Sequence, residues 1–419
     1  VAIPLRRALR RAGPDTPAPE PQPPAPAAGQ EEIRRQNLGA VLRYVHLHGP
    51  TSRAELTGRL GLNRSTIGAL AADLAAAGLV TEDVPATEDV PATARRAGRP
   101  SLVVSPCSER VYATALSIEP KRLRAARIGL GGRILDLRET PRPCGSSPLD
   151  AVAPLAELVR GMERGDDARY AGGAVAVADT VRDADGTVRV AGADDTLVAA
   201  LDAALGAGPG RPGLVAGDLA DIAALAEHTR GVATGVDDLL YLHGDRGLSA
   251  GMVTGGSLVV GHGGRSGKVG HMVVDPAGRR CGCGSRGCWE TEAGTDALLR
   301  RAGAAPGASP LAVLRAAALG DAVARDALHG VADWLGFGVA NLVNVFNPDL
   351  VVFGGTLREI YAAGAGTVRS RLDSMALPAS REHLQLRASS LGADAPLIGA
   401  AELAFDALLA DPLSAPSPQ

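Results

Sequence analysis

GHMVVDPAGRRCGCGSRGCWE, residues 270–290, carries three of the chain's five cysteines within eight residues, with a histidine shortly before them. His271, Cys281, Cys283 and Cys288 give the spacing H-x9-C-x-C-x4-C. Three thiolates and one imidazole are the donor set of a closed, tetrahedral structural zinc site. The C-x-C pair is too short to bridge to itself, and Gly282, Gly284 and Gly287 let the backbone wrap an ion. Four protein ligands leave no open position for a reactive water, so zinc is expected here as a staple. The other two cysteines, Cys107 and Cys144, stand alone and far apart, which argues against a disulfide framework.

Around this loop the chain is ordinary in bulk. Its 419 residues are 46% hydrophobic and 21% charged, with a formal net charge of −3, so any basic surface must be local. The length leaves room for two or three domains. No apolar run reaches the roughly 18 residues of a membrane span, and the basic start VAIPLRRALRRAG lacks the apolar stretch of a secretory signal. A cytoplasmic location without membrane contact is the default expectation. Residues 1–30 and 411–419, rich in Pro, Ala and Ser, are expected as disordered tails.

Residues 31–80 predict three helices. Ile33, Leu38, Val41, Leu42 and Val45 fall at helical spacing, and Gly49-Pro50 stops that helix. In the following TSRAELTGRLGLNRSTIGALAADLAAAGLV, Ser52 to Glu55 forms a capping box. Gly61 then ends a short helix, Leu62 plugs the core, and Asn63 caps a third helix burying Ile67, Leu70 and Leu74 and ending at Gly78. This is a helix-turn-helix pattern. The next stretch, to about residue 105, has apolar ends and a polar middle, as a β-hairpin wing would, with TEDVPA repeated in tandem at its tip. Double-stranded DNA is the expected partner. The candidate contacts are Ser52, Arg53, Asn63, Arg64, Ser65 and Thr66, with Arg95, Arg96 and Arg99 of the wing reaching the minor groove or phosphates. The bland alternative is a three-helix subdomain that packs or dimerises.

Beyond about residue 105, β-rich stretches alternate with Ala/Leu-rich helical ones, and glycine clusters follow strands at GDRGLSAG and LVVFGG. That alternation indicates an α/β architecture. A break into two lobes is expected between 200 and 230, and a long helix near 323–346. The domains are thus residues 31–104 for the head and 105–410 for the body.

GKVGHMVVDPAGRRCGCGSRGCWE resembles the signature of the ROK family of repressors, open reading frames and sugar kinases. The head resembles the winged helix-turn-helix of its repressor branch, and NLVNVFNPDLVVFGG and PLIGAAELAF extend the likeness over residues 31 to about 409. The resemblance implies a two-lobed, actin-like (ribonuclease H-like) sugar-kinase fold with a sugar in the cleft. It also implies a homodimer or homotetramer on a pseudo-palindromic operator.

The departures from the family pattern matter as much. Where the family's kinases carry an Asp-x-Gly-Gly-Thr turn for ATP phosphates, this chain reads LSIEPKRLRAARI, and Glu119-Pro120 cannot bring backbone amides against phosphate. The second phosphate loop has Ser249 in place of a glycine. Alignment on Leu225-Ala226-Glu227 sets Asp218 at the family's Asn and Leu219 at its catalytic Asp, and leucine is no base, whereas a slip of one residue restores Asp218 to that role. In the sugar site, Gly-Glu-x-Gly-His becomes GKVGH, leaving Asp218, Lys268, His271 and Glu290 as candidate ligand contacts. The expectation is therefore a non-enzymatic regulator, a repressor of carbohydrate-related genes, with a degenerate cleft that takes either a changed ligand, a sugar or sugar phosphate, or none. The rival is an active ATP-dependent sugar kinase with a DNA-binding head.

Overall fold

The computed structural model describes residues 29–84 and 101–413, apart from 144, 164–166, 179, 183–187, 191–194, 207–211, 246, 263–265 and 306–307. The expected tails, save for residues 29–30 and 411–413, and the wing tip with Arg95, Arg96 and Arg99 lie outside the described residues.

The head begins with helix α1 (Gln30–His48), β1 (Thr51–Ser52), α2 (Arg53–Leu60) and α3 (Arg64–Ala76). Gly61, in the left-handed region, closes α2, and Asn63 caps α3 by accepting from the Thr66 amide at 2.8 Å. The wing strands β2 (Val80–Asp83) and β3 (Val103–Pro106) pair antiparallel, with β1 on the other edge of β3. Leu38, Val41, Val45, Leu56, Ile67, Leu70, Leu74 and Val104 form the head's core. Ile33, expected inside, is 50% exposed, because α1 outruns the elements it packs against.

The body repeats one sheet plan twice. In the first lobe β4 (Val111–Ile118), β5 (Arg122–Gly129) and β6 (Ile134–Pro141) form an antiparallel meander. After α4 (Val152–Arg160), β7 (Arg169–Val177) lies parallel to β4. A small ribbon, β8 (Thr180–Arg182) with β9 (Val188–Val190), and helix α5 (Asp195–Ala204) precede β10 (Leu214–Asp218), which is parallel to β7. Helix α6 (Leu219–Arg230) then leads to the second lobe. There β11 (Leu239–Gly244), β12 (Leu248–Thr254) and β13 (Ser257–Leu258) are the meander. Short helices α7 (Glu290–Ala293) and α8 (Thr295–Arg301), then α9 (Pro310–Ala318) and the long α10 (Ala322–Phe346), precede β14 (Leu350–Gly355). After α11 (Thr356–Met375) and α12 (Pro378–Arg381), β15 (Gln385–Ala388) completes the parallel run β11-β14-β15. Helix α13 (Ala395–Ala410) returns to the first lobe. Parallel neighbours need such crossovers, and the apolar runs of β7 and β11 are covered on both faces.

The passage between lobes falls after α6, at residues 231–238, just beyond the expected interval, because β10 still belongs to the first sheet. An Ala/Leu-rich helix does not announce which sheet it serves. Helices α6 and α13 pack against each other between the two sheets, and this layer demands small residues: a Cβ on Gly399 would sit 1.9 Å from the Ile222 carbonyl oxygen. Glu227, fully buried on α6, holds both crossings. It accepts from the Val232 amide (2.9 Å) and, on the return, from Ser389 and Ser390 Oγ and the Leu391 amide (2.5, 2.9 and 3.0 Å). One buried core runs without interruption from the head through the layer of α6 and α13. No helix among the described residues is long and apolar enough to cross a membrane.

Candidate metal centre, effector cleft and nucleic-acid interface

The loop between β13 and α7 gathers the four residues singled out from sequence. His271 Nδ1 and the Sγ atoms of Cys281, Cys283 and Cys288 lie within 4.8 Å of one another. Cys283 Sγ is 3.6 Å from Cys288 Sγ, and Cys281 Sγ is 3.7 Å from His271 Nδ1. A tetrahedron with 2.3 Å metal–sulfur bonds has edges of about 3.8 Å, so these donors fit a metal ion. Among the wrapping glycines, Gly284 and Gly287 take positive φ (97° and 66°). Gly287 is also sterically obligatory, since a Cβ there would overlap the Asp275 carbonyl. Next to the last ligand, Trp289 is completely buried, and its indole N–H donates to the Trp334 carbonyl on α10 at 2.7 Å. The metal loop is thereby bolted to the second lobe.

Glu290 opens α7 and leans against the cluster. Its Oε1 accepts from the Cys281 thiol at 2.8 Å and lies 3.5 Å from His271 Nδ1. Lys268, three residues before His271, pairs with Asp218 of the first lobe. This ion pair spans the cleft, because Asp218 ends β10 and caps α6, accepting from the Ala220 amide at 2.9 Å. The four sugar-site candidates thus form two pairs, Asp218 with Lys268 and His271 with Glu290, and His271 turns Nδ1 toward the Cys281 thiol. Sequence reading missed Asp221, in the first turn of α6. Its side chain is 4% exposed and its Oδ1 has no hydrogen-bond partner among the described residues. Burial first, and then the Asp218 charge, push the Asp221 carboxyl well above the usual range. The legible signal was the Asp-x-x-Asp at a helix start, which reads equally well as ordinary capping.

Deeper between the lobes is a cavity of about 430 Å³, lined among others by Glu119, Lys121, Asp245, Thr356 and Arg358. Glu119 is buried in the β4–β5 turn, accepting from Ser117 Oγ (3.0 Å) and Arg122 Nε (2.7 Å). Across from it Asp245 accepts from Thr356 Oγ1 (2.9 Å). Burial raises its carboxyl, but His243, Thr356 and Arg122 outweigh burial and hold it below the usual range. The lining thus mixes the carboxylates of Glu119 and Asp245 with the cations of Lys121, Arg122 and Arg358.

In the head, the N-terminal turn of α3 presents Arg64 and Ser65 to solvent, while Thr66 is half-buried. Asn63 spends its Oδ1 on the cap and on Ser65 Oγ (2.7 Å). Two of the expected contacts are engaged inside the head. Ser52 caps α2 by accepting from the Glu55 amide at 3.1 Å. Arg53 grips Glu82 of the wing with Nε and Nη2, tying the helix pair to the hairpin. Its guanidinium acts as a brace, because a bidentate carboxylate lay within reach in the folded wing.

The ROK family profile matches residues 116–407. The xylose repressor of Bacillus subtilis is 31% identical over 191 residues, covering 45% of this chain and 50% of the repressor. The chain thus spans about half the length of that relative. The DNA-binding transcriptional repressor Mlc of Escherichia coli is 27% identical over 389 residues, covering 88% of this chain and 93% of Mlc. Among solved structures, a ROK family transcriptional regulator described as a homolog of E. coli Mlc superposes with a TM-score of 0.69 at 24% identity, over 90% of this chain and 97% of its own. A ROK family glucokinase from Streptomyces griseus, in complex with glucose and AMPPNP, gives 0.59 at 28% identity, over 70% and 98%.

Proposed function

Because the chain belongs to the ROK family, we propose that it is a DNA-binding transcriptional regulator, a repressor of carbohydrate-related genes whose body senses a ligand in the cleft. The observation that carries this reading is the winged head, which leaves the N-terminal turn of α3 exposed and shares its core with the body. Arg64, Ser65, Asn63 and Thr66 are the candidate groove contacts, and a homodimer on a pseudo-palindromic operator is the expected assembly.

His271, Cys281, Cys283 and Cys288 would hold zinc, which would supply rigidity to the loop that carries Lys268 and Glu290. Asp218, Asp221, Lys268 and Glu290 are the side chains that would meet a sugar or sugar-phosphate effector.

The kinase reading has relatives in the family, among them the glucokinase above. Against it stand Leu219, which is apolar and buried at the base's position, and Glu119 in the phosphate turn. Titrating the protein against DNA from upstream of its own gene, at several salt concentrations, tests the regulator. Specific, salt-sensitive binding released by one of glucose, N-acetylglucosamine, xylose or their phosphates supports it. Non-specific binding alone, together with hexose phosphorylation by ATP, would replace it with the kinase.

A further inference from the structure

The head is joined to the body by a buried charge cluster at the far end of the helix that begins in the cleft. Helix α6 starts at the Asp218 cap and ends at Arg230, whose guanidinium reaches three elements. Its Nε donates to Glu402 of α13 (2.5 Å), its Nη1 to the Gly131 carbonyl in the β5–β6 turn (3.0 Å), and its Nη2 to the His46 carbonyl of α1 (3.0 Å). That last carbonyl belongs to the final turn of the head's first helix, where backbone oxygens have no helical partner and the helix dipole is negative. The His46 ring is fully buried as well. Its Nδ1 accepts from the Gly131 amide (2.9 Å), which leaves the proton on Nε2, facing Glu402 at 3.0 Å. Arg230 Nη2 also lies 2.7 Å from that Nε2, two donors held together by the shared carboxylate.

Apolar packing of α1 on α13 would tolerate sliding, but this cluster would not. A buried guanidinium with three acceptors has one satisfactory geometry, and losing any acceptor leaves an uncompensated buried group. The β5–β6 turn is shaped to receive it: a Cβ on Gly132 would fall 2.5 Å from the guanidinium carbon.

We propose that Arg230 is the positioning residue of the DNA-binding head, and that α6 is the strut through which the Asp218–Lys268 end of the cleft sets the head's orientation. At 12 residues the strut is about 18 Å long. A ligand that draws Lys268 away from Asp218 acts on one end, and the His46 and Gly131 carbonyls follow the other. The inference rests on the DNA-binding reading above.

The test uses the full chain carrying Arg230→Gln, Lys268→Ala or both, with amide hydrogen exchange and affinity for the upstream DNA as readouts. Arg230→Gln is expected to speed exchange at residues 44–48 and 131 while leaving α3 protected, and to weaken DNA binding roughly tenfold or more. Lys268→Ala alone changes DNA affinity, but in the Arg230→Gln background it adds nothing, a non-additivity that a purely structural role would not produce. Arg230→Lys, able to replace only part of the fork, falls between. Should Arg230→Gln not fold, the isosteric Glu402→Gln takes its place in the cycle. Unchanged exchange and affinity, or simple additivity with Lys268→Ala, overturns the proposal. If the unmodified chain binds no DNA specifically, the functional reading fails, while the exchange data still decide whether Arg230 holds the joint.

Discussion

Asp218 and Arg230 are the two ends of one helix. The first pairs with Lys268 across the cleft, and the second clasps the last turn of the head's first helix. The arrangement gives the regulator reading a physical route from ligand to DNA, and it sharpens what should be measured.

Metal content is the first consequence of the thiol cluster. One zinc per chain is expected by elemental analysis, with Cys283→Ser losing it. Chelation should lower the melting temperature and shift the emission of Trp289 as its bond to the Trp334 carbonyl loosens. A chain purified without metal whose melting is indifferent to chelator would refute the assignment.

Arg53 and Arg64 should separate cleanly. Arg64→Ala is expected to weaken DNA binding across sequences and to reduce the salt slope by about one, with melting unchanged. Arg53→Ala should lower the melting temperature, and Glu82→Ala should lower it similarly, with the double variant little worse than either. An Arg53→Ala chain of unaltered stability but relaxed sequence preference would return that residue to the groove.

Phosphoryl transfer provides the third. With ATP and a panel of hexoses no turnover is expected, because Glu119-Pro120 stands where a phosphate turn needs glycines and the aligned Leu219, buried and apolar, cannot accept a proton. Coupled-assay turnover that disappears in Asp218→Ala would establish the kinase instead.

Acid should loosen the joint between head and body. Burial lowers the His46 pKa below its ordinary 6.5, so the unfolded chain takes up that proton first; the site is fully stabilising above about 6.5 and loses ground below. For Glu402 burial acts upward, but His46 and Arg230 outweigh it and hold the carboxyl at about 2, so its contribution is complete above its ordinary 4.5 and fades as pH falls toward 2. Both slopes have the same sign. Melting temperature should fall steadily from pH 7 to pH 4, and His46→Gln should flatten the part just below 6.5. A melting temperature that rises on acidification would contradict the tautomer drawn from the Gly131 amide.

What the sequence determined by itself is whatever depends on neighbours along the chain. The helix-turn-helix came from caps at Ser52 and Asn63 and glycine stops at Gly61 and Gly78, each a local backbone requirement. The candidate metal cluster was legible because its four donors fall within residues 271–288, so spacing alone brings them together. The missing phosphate turn was legible for the same reason, as residue types at one hairpin. Tertiary structure alone decided the rest. Arg53 was a candidate DNA contact in the sequence, and only the folded wing shows that Glu82 lies beside it. Asp218 and Lys268 are 50 residues apart, and His46 and Glu402 are 356 apart; neither pair has a spacing that sequence could read. Asp221 went unnoticed in the sequence, and only burial sets its carboxyl oxygen apart, without a partner among the described residues. The physical reason is common to the three pairs: the partner of a charged side chain is the charge that folding brings within about 3 Å, and that distance belongs to the packed core rather than to the order of residues.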